Sequence, residues 1–457
     1  MKKDIQQNNT LAIICEFNPM HTGHTYLINE AKKITGSNFV VGLLSGNFSQ
    51  RSEPCILDKY TRAKICAENG IDLAINFPTA FCCNNAEIFG YSAIKILNSL
   101  NISYLAFGVE TFCKEAFFTL AKFMLKEPKI FKKLLKQNLK SGLNYNSCYL
   151  KALLDNIENF ETLAPFKTEI NEILSRPNNT LALEYIKALI KTKSKIKPIL
   201  IKRVDNYNSN KLVQNFASAS FLRNNIFENN LDKIKEFLPK NSIQYFQNYN
   251  QKFLNLDAKI LEDNSPNLGA EFSKNFKDVS ASNFSNFNLK TDIKLSQFPT
   301  LLKSLILYKI KTIKKSELKN IYSVSEGLEN KLKLEAENTN NFDEFYKKLL
   351  TKRYKQSKIN SVLLNALLSI DKKTIHKFYT TKNIIYLKIL ALNPQKRLNI
   401  SEINTKFLIF RKLDVENKRF NKLNKKLFSI ENNANIVYNL IYNTHLNEVD
   451  LYNKMRT

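Results

Sequence analysis

The sequence predicts an α/β fold: a parallel sheet with helices over the first half, followed by a mainly α-helical second half. Three observations carry this. Short apolar runs alternate with helical stretches from Leu11 to Gly108, the order that builds right-handed βαβ units. Seven of the ten glycines precede position 110, where turns between strands and helices need them. Beyond that point helical periodicity dominates and glycine, which weakens helices, is rare.

Each element has its own signal. Leu11-Ala12-Ile13-Ile14-Cys15 is an apolar run that reads as a buried strand, and Tyr26 to Lys33 reads as the following helix. Phe39 to Leu44 is a second buried strand. A helix near Asp58–Glu68 has Asp58 as its N-cap. Asp72 to Ile75 is a third strand, stopped by Pro78, and a helix passes through Ala93–Leu97. Ile102 to Phe107 is a fourth strand, ending at Gly108. From Ala116 to Leu189 the pattern is mostly helical, with Pro177-Asn178-Asn179 at a helix start. Ile199 to Ile201 forms one more short strand before Lys202-Arg203. The stretch from Asn264 to Phe298, rich in Ser, Asn and Phe, reads as a long loop or hinge, and the rest as helices without internal repeats.

The net charge is +28, from 69 Lys and Arg against 41 Asp and Glu. A polyanionic partner such as nucleic acid explains it, and so does a coding bias toward Lys, Asn, Ile and Phe. The seven cysteines are odd in number and form no C-x-x-C pair, which argues against a zinc site or disulfide framework and for a reducing, cytoplasmic setting. The apolar run near the N-terminus is too short for a signal peptide. No apolar stretch reaches the roughly 18–20 residues of a membrane helix.

Half of the four histidines fall in His21-Thr22-Gly23-His24, between the first strand and the first helix. Free N–H groups and the positive helix end make that junction an anion site, where two imidazoles can hold phosphate oxygens during a displacement. A second constellation begins where the second strand ends, with Ser45-Gly46-Asn47 and then Arg51, Lys59 and Arg62. Its cations are candidates to neutralise a phosphate or carboxylate, although an ordinary polar loop explains them as well. Ser218 and Ser220 with Arg223 form either a phosphate grip or a simple helix cap. Lys352-Arg353-Tyr354-Lys355 mixes cations with an aromatic, as an RNA surface does and as a solvated helix end also can. Lys418, Lys422, Lys425 and Lys426 form a stripe best read as a solvated face.

Taken together, these residues resemble the bacterial tRNA(Met) cytidine acetate ligases, within the H-x-G-H nucleotidyltransferase superfamily. The resembling pieces are Ile14-Cys15-Glu16-Phe17-Asn18-Pro19-Met20-His21-Thr22-Gly23-His24, then Ser45 to Pro54 with Asp58, Lys59 and Arg62. Phe107 to Glu110, Pro177-Asn178-Asn179, Ile201-Lys202-Arg203, Ser218 to Ser220 with Arg223, Glu326 to Asn330 and Thr351 to Tyr354 follow in family order. The chain departs from the family pattern at Asn76-Phe77-Pro78, where Glu-Leu-Pro is usual, at Ser52, where glycine is usual, and at Val204 to Tyr207.

The resemblance implies a Rossmann-like catalytic domain over residues 1–235 and a mainly helical, basic, tRNA-binding domain over residues 236–457. It implies an enzyme that uses ATP to activate acetate as acetyl-adenylate, then acetylates the wobble cytidine of elongator tRNA(Met) to N4-acetylcytidine. ATP would lie against Ile14 to Leu27, including Thr25 and Tyr26, with further contacts at Gly108, at Asn178 or Asn179, and at Arg203. His21 and His24 are the expected catalytic pair, assisted by backbone N–H groups near Gly23 and Gly46. Ser218, Ser220 and Arg223 would grip the leaving diphosphate, and Mg²⁺ would enter with ATP, held mostly by phosphates and water. No protein-held metal, membrane contact or stable protein partner is expected. The rival readings are another H-x-G-H enzyme acting on a small metabolite, a class I aminoacyl-tRNA synthetase using Lys314-Lys315-Ser316, and a non-catalytic tRNA-binding protein.

Overall fold

The computed structural model describes residues 9–142, 145–203, 217–247, 298–382, 385–393, 395, 408–409 and 420–446. The departure at Val204 to Tyr207, nearly all of the Asn264 to Phe298 stretch, and Lys418 lie outside them. The apolar runs fold as strands because their branched side chains pack on both faces of a covered parallel sheet. They are β1 (Thr10–Cys15), β2 (Phe39–Ser45), β3 (Leu73–Phe77), β4 (Tyr104–Val109) and β5 (Lys197–Lys202). Between them run α1 (Thr22–Thr35), α2 (Lys59–Glu68), α3 (Thr79–Cys82), α4 (Ala86–Leu97), α5 (Lys114–Leu125), α6 (Lys129–Leu139), α7 (Tyr145–Leu154), α8 (Lys167–Ser175) and α9 (Pro177–Lys191), with α10 (Ala219–Phe227) and α11 (Ile243–Gln247) after β5. Asp58 caps α2 as expected, its carboxylate accepting from Tyr60 N and Thr61 N.

The described strands form one seven-stranded sheet in the order β5-β4-β1-β2-β3-β6-β7. β1 to β5 are mutually parallel. From β1 the chain winds outward through β2 and β3, then crosses back to place β4 on the other side of β1. The order therefore reverses between β1 and β4, and the crevice at that switch point is where such sheets take ligands. It lies immediately beyond Cys15 and Val109.

The second half is mainly helical, as the sequence predicts, but not entirely. Leu387–Leu392 is a strand, β6, that pairs antiparallel with β3, and Leu408–Ile409 adds a short β7 parallel to it. A short apolar run between helices does not declare its own type, and the open edge of β3 decides it here. Five of the six β6 residues are buried.

One sheet face packs Leu11, Ile13, Val40 and Leu44 against Ile28 and Ala31 of α1 and Ala63 and Cys66 of α2. The other packs Val41, Leu43, Ile75 and Phe77 against Phe89 of α4 and Tyr185 of α9. The same cluster continues without a break into Ile306, Tyr346, Leu363, Leu427 and Tyr438 of the second half. No helix among the described residues is long and apolar enough to cross a membrane. All seven cysteines are free thiols.

Candidate active site at the turn after the first strand

The turn after β1 assembles His21 and His24 through its own backbone. His21 is the N-cap of α1, and its Nδ1 accepts from Gly23 N at 3.1 Å. His24 Nδ1 in turn accepts from His21 N at 3.3 Å. The rings stack with centroids 3.7 Å apart, and Phe17 packs on His24 at 4.6 Å. Because both Nδ1 atoms accept from amides, each neutral ring carries its proton on Nε2, so each presents an N–H donor. Burial, then the proximity of His21 and Arg203, holds the His24 pKa well below the usual imidazole range. The first turn of α1 contains no acidic residue. The junction is thus a set of donors with no acidic residue in the first helical turn, suited to an anion.

Topology brings the other predicted residues to the same crevice. A Cβ on Gly108 would lie 3.1 Å from Arg203 Cγ and 3.5 Å from Leu27 Cδ1, so β4, α1 and the residue after β5 meet closely there and a larger residue would ask the Arg203 side chain to shift. Arg203 N donates to Val109 O at 2.9 Å. Asn178 and Asn179 play different parts. Asn179 is fully buried and its amide is consumed internally: Oδ1 accepts from Glu110 N (2.8 Å) and Thr111 N (3.2 Å), and Nδ2 donates to Thr111 Oγ1 (2.9 Å) and Glu172 O (3.3 Å). It staples α9 to the end of β4. Asn178 is only half-buried and donates to Glu110 Oε1 at 2.6 Å.

In the loop after β2, Arg62 and Lys59 are both buried, and the carboxylate that Lys59 meets is one of the chain's own. Arg62 donates to the carbonyls of Glu16 (2.5 Å), Ser45 (3.0 Å), Leu57 (3.0 Å) and Gly46, tying the H-x-G-H turn to the Ser45–Leu57 loop. Lys59 pairs with Glu431 at 3.2 Å, both side chains being almost wholly shielded. Ser45 is likewise buried, while Arg51 is exposed. Ser52 adopts φ +62°, a left-handed conformation that accounts for the usual glycine, and its hydroxyl donates to Cys83 O at 2.9 Å.

Glu431 belongs to a helix, Lys422–Tyr442, that sequence reasoning did not connect to the site. Its carboxylate also accepts from Thr79 N, Asn435 Oδ1 accepts from Asn47 Nδ2 at 2.9 Å, and Tyr438 OH donates to Cys55 O at 3.0 Å. The three recur at helical spacing on one buried face, and polar residues on an otherwise apolar stripe were the available signal.

Ser218 caps α10, its hydroxyl accepting from Phe221 N at 3.1 Å, so the simple cap is the role seen. Arg223 donates to Asn18 O at 2.9 Å and to Ser220 Oγ at 3.1 Å, which brings both to the H-x-G-H turn. Lys352, Arg353 and Lys355 are exposed and Tyr354 is half-buried, in the loop between helices Phe342–Leu349 and Gln356–Leu367. Arg353 pairs with Glu326 at 2.5 Å. Lys422 and Lys425 are exposed, and Lys426 pairs with Asp371 at 3.8 Å.

The HIGH Nucleotidyl Transferase family matches this chain over residues 8–451. A tRNA(Met) cytidine acetate ligase of Thermoanaerobacter sp. (strain X514) is 33% identical over 434 residues, covering 94% of this chain and 95% of the relative. One from Clostridium novyi (strain NT) is 32% identical, covering 87% and 88%. Among solved structures, Thermotoga maritima TmcAL bound with alpha-thio ATP superposes with a TM-score of 0.73 at 22% identity, over 95% of each chain. Its apo form gives the same TM-score and coverage. With an H-x-G-H turn at the switch point of the same fold, the chain belongs to the tRNA(Met) cytidine acetate ligase family of HIGH nucleotidyl transferases.

Proposed function

We propose that the chain is an ATP-dependent ligase that joins acetate to the wobble cytidine of elongator tRNA(Met), forming N4-acetylcytidine with release of AMP and diphosphate. The observation that carries this reading is the stacked His21–His24 pair at an unopposed helix N-terminus, in a chain 33% identical to named ligases along nearly its whole length. Acetate resists nucleophilic attack and the cytosine amine is a weak nucleophile, so one must be activated. Attack of an acetate oxygen on the α-phosphate expels diphosphate and leaves a mixed anhydride. Here the protein supplies positioning and charge stabilisation. His21 and His24 donate from Nε2 to phosphate oxygens, Arg203 and the Gly108 turn flank the nucleotide, and Asn178 is the asparagine with exposure to reach it. Mg²⁺ travels with the phosphates and water.

Residues 1–235 would carry this chemistry and residues 236–457 would hold the tRNA in the cytoplasm, with Lys352, Arg353, Tyr354 and Lys355 facing it. Two parts of the second segment, β6 and the helix Lys422–Tyr442, would serve the first.

The test is incorporation of labelled acetate into bulk tRNA by purified protein, with and without ATP, and with acetyl-CoA as a competing donor. ATP-dependent label recovered as N4-acetylcytidine is expected. His21→Ala and His24→Ala should each raise the barrier by about 2.7–4 kcal/mol if each acts as one oxyanion-hole donor. Label that ignores ATP, or full activity in both variants, overturns the assignment.

A further inference from the structure

The Gln50–Pro54 loop carries a carboxylate that adenylation does not use. Its backbone is pinned: Ser49 N donates to Glu53 O at 2.8 Å, Glu53 N to Ser49 Oγ at 3.4 Å, and Phe48 bridges Pro54. The Glu53 side chain is half-buried, and among the described residues its carboxylate makes no hydrogen bond and no close ion pair. Arg223 of α10 and Arg51 of its own loop favour its charged form and Glu16 after β1 opposes it, while the Glu53 charge helps raise the pKa of Tyr346 in helix Phe342–Leu349.

The inner neighbours are already occupied. Arg223 donates to Asn18 O and Ser220 Oγ, and Glu16 Oε1 accepts from Gln50 N at 2.5 Å. The Glu53 loop therefore lies between the H-x-G-H turn, where Gln50 N meets Glu16, and the second half, where Ser52 Oγ and Ser361 Oγ of helix Gln356–Leu367 both donate to Cys83 O, at 2.9 and 3.2 Å. A reactive adenylate and an anticodon base would meet at that joint. In a site built for anions, a partly desolvated carboxylate without a fixed donor is costly. A ligand donor offsets that cost, and the exocyclic amine of cytosine is a donor that Glu accepts from.

On the ligase reading above, we infer that Glu53 accepts an N4–H of the target cytidine and takes its proton during acetyl transfer. The N4 lone pair forms the C–N bond to the acetyl carbonyl carbon. The C–O bond to the adenylate phosphate breaks, and AMP leaves with that electron pair. The proton lost from N4 passes to the Glu53 carboxylate and then to water. Burial, opposed by Arg223 and Arg51, raises the Glu53 pKa above the ordinary carboxylate range, which makes it a stronger base.

The experiment separates the two half-reactions in full-length protein. Acetate-dependent exchange of labelled diphosphate into ATP reads adenylation, and single-turnover labelling of elongator tRNA(Met) reads transfer. Glu53→Gln should slow transfer by about 10²–10⁴-fold while exchange keeps most of its rate. Wild-type transfer should rise with pH as Glu53 loses its proton, and Glu53→Gln should lack that limb. Glu53→Asp should keep the limb at a lower rate, which decides the matter should the glutamine variant fold poorly. Equal loss in both half-reactions, undiminished transfer, or an intact limb in Glu53→Gln overturns the inference. Absence of acetate-dependent exchange in the wild type overturns the ligase reading instead.

Discussion

At the scale of single residues, the H-x-G-H turn makes a prediction about acid. The folded protein holds His24 neutral well below the pH at which an ordinary imidazole protonates. Below about pH 6.5 the unfolded chain therefore binds a proton that the native state refuses, and stability falls as pH drops. Above that range the contribution is level. The pH dependence of the urea midpoint between pH 7 and 5 should be steeper in the wild type than in His24→Phe. Gly46 makes a second prediction. A Cβ there would lie 2.7 Å from Thr79 Oγ1, a buried hydroxyl with no hydrogen-bond partner among the described residues. Gly46→Ala should cost about 1–3 kcal/mol by overpacking, and Thr79→Ala on the same chain should recover much of it, read as coupling in a double-mutant cycle. At this scale the sequence was readable for the histidines, because cap and turn chemistry is local. It was silent on which of Asn178 and Asn179 is spent internally, because that depends on Thr111 and Glu172 across space.

At the scale of elements, the five parallel strands could be read from apolar runs, and Asp58 and Pro177 from their capping preferences. The polar stripe of the helix Lys422–Tyr442 could not. Glu431 is an ordinary glutamate by sequence, and only the fold sets it against Lys59, 372 positions earlier. That pair predicts a large effect. Removing the carboxylate takes away the charge partner that Lys59 has at 3.2 Å, so Glu431→Gln should destabilise by about 3–5 kcal/mol in chemical denaturation. Replacing both partners together, as Lys59→Met with Glu431→Leu, should recover most of the loss, since a packed apolar pair avoids the desolvation of two ions.

At the scale of the whole molecule, the net charge of +28 has a use under the proposed function. Phosphate contacts release counterions, so tRNA affinity should fall linearly in log–log form as salt rises. Substituting Lys352 and Lys355 together with alanine should lower the magnitude of that slope by about 0.7–0.9 for each lost phosphate contact, measured by filter binding. A slope equal to that of the wild type would remove this loop from the tRNA surface. Charge alone could not locate the surface, since Lys426 and Arg353 spend theirs on Asp371 and Glu326.

The antiparallel strand Leu387–Leu392 also bears on how the protein is made. Its partner β3 ends at Phe77 and β6 begins at Leu387, so 309 residues must be translated between them. At ribosomal speeds of about 5–20 residues per second, that is a delay of roughly 15–60 seconds. Throughout it, the outer edge of β3 offers unpaired N–H and C=O groups to any other nascent strand. The first half is thus born with that edge open, and any delay in the arrival of the second half lengthens its exposure to mispairing.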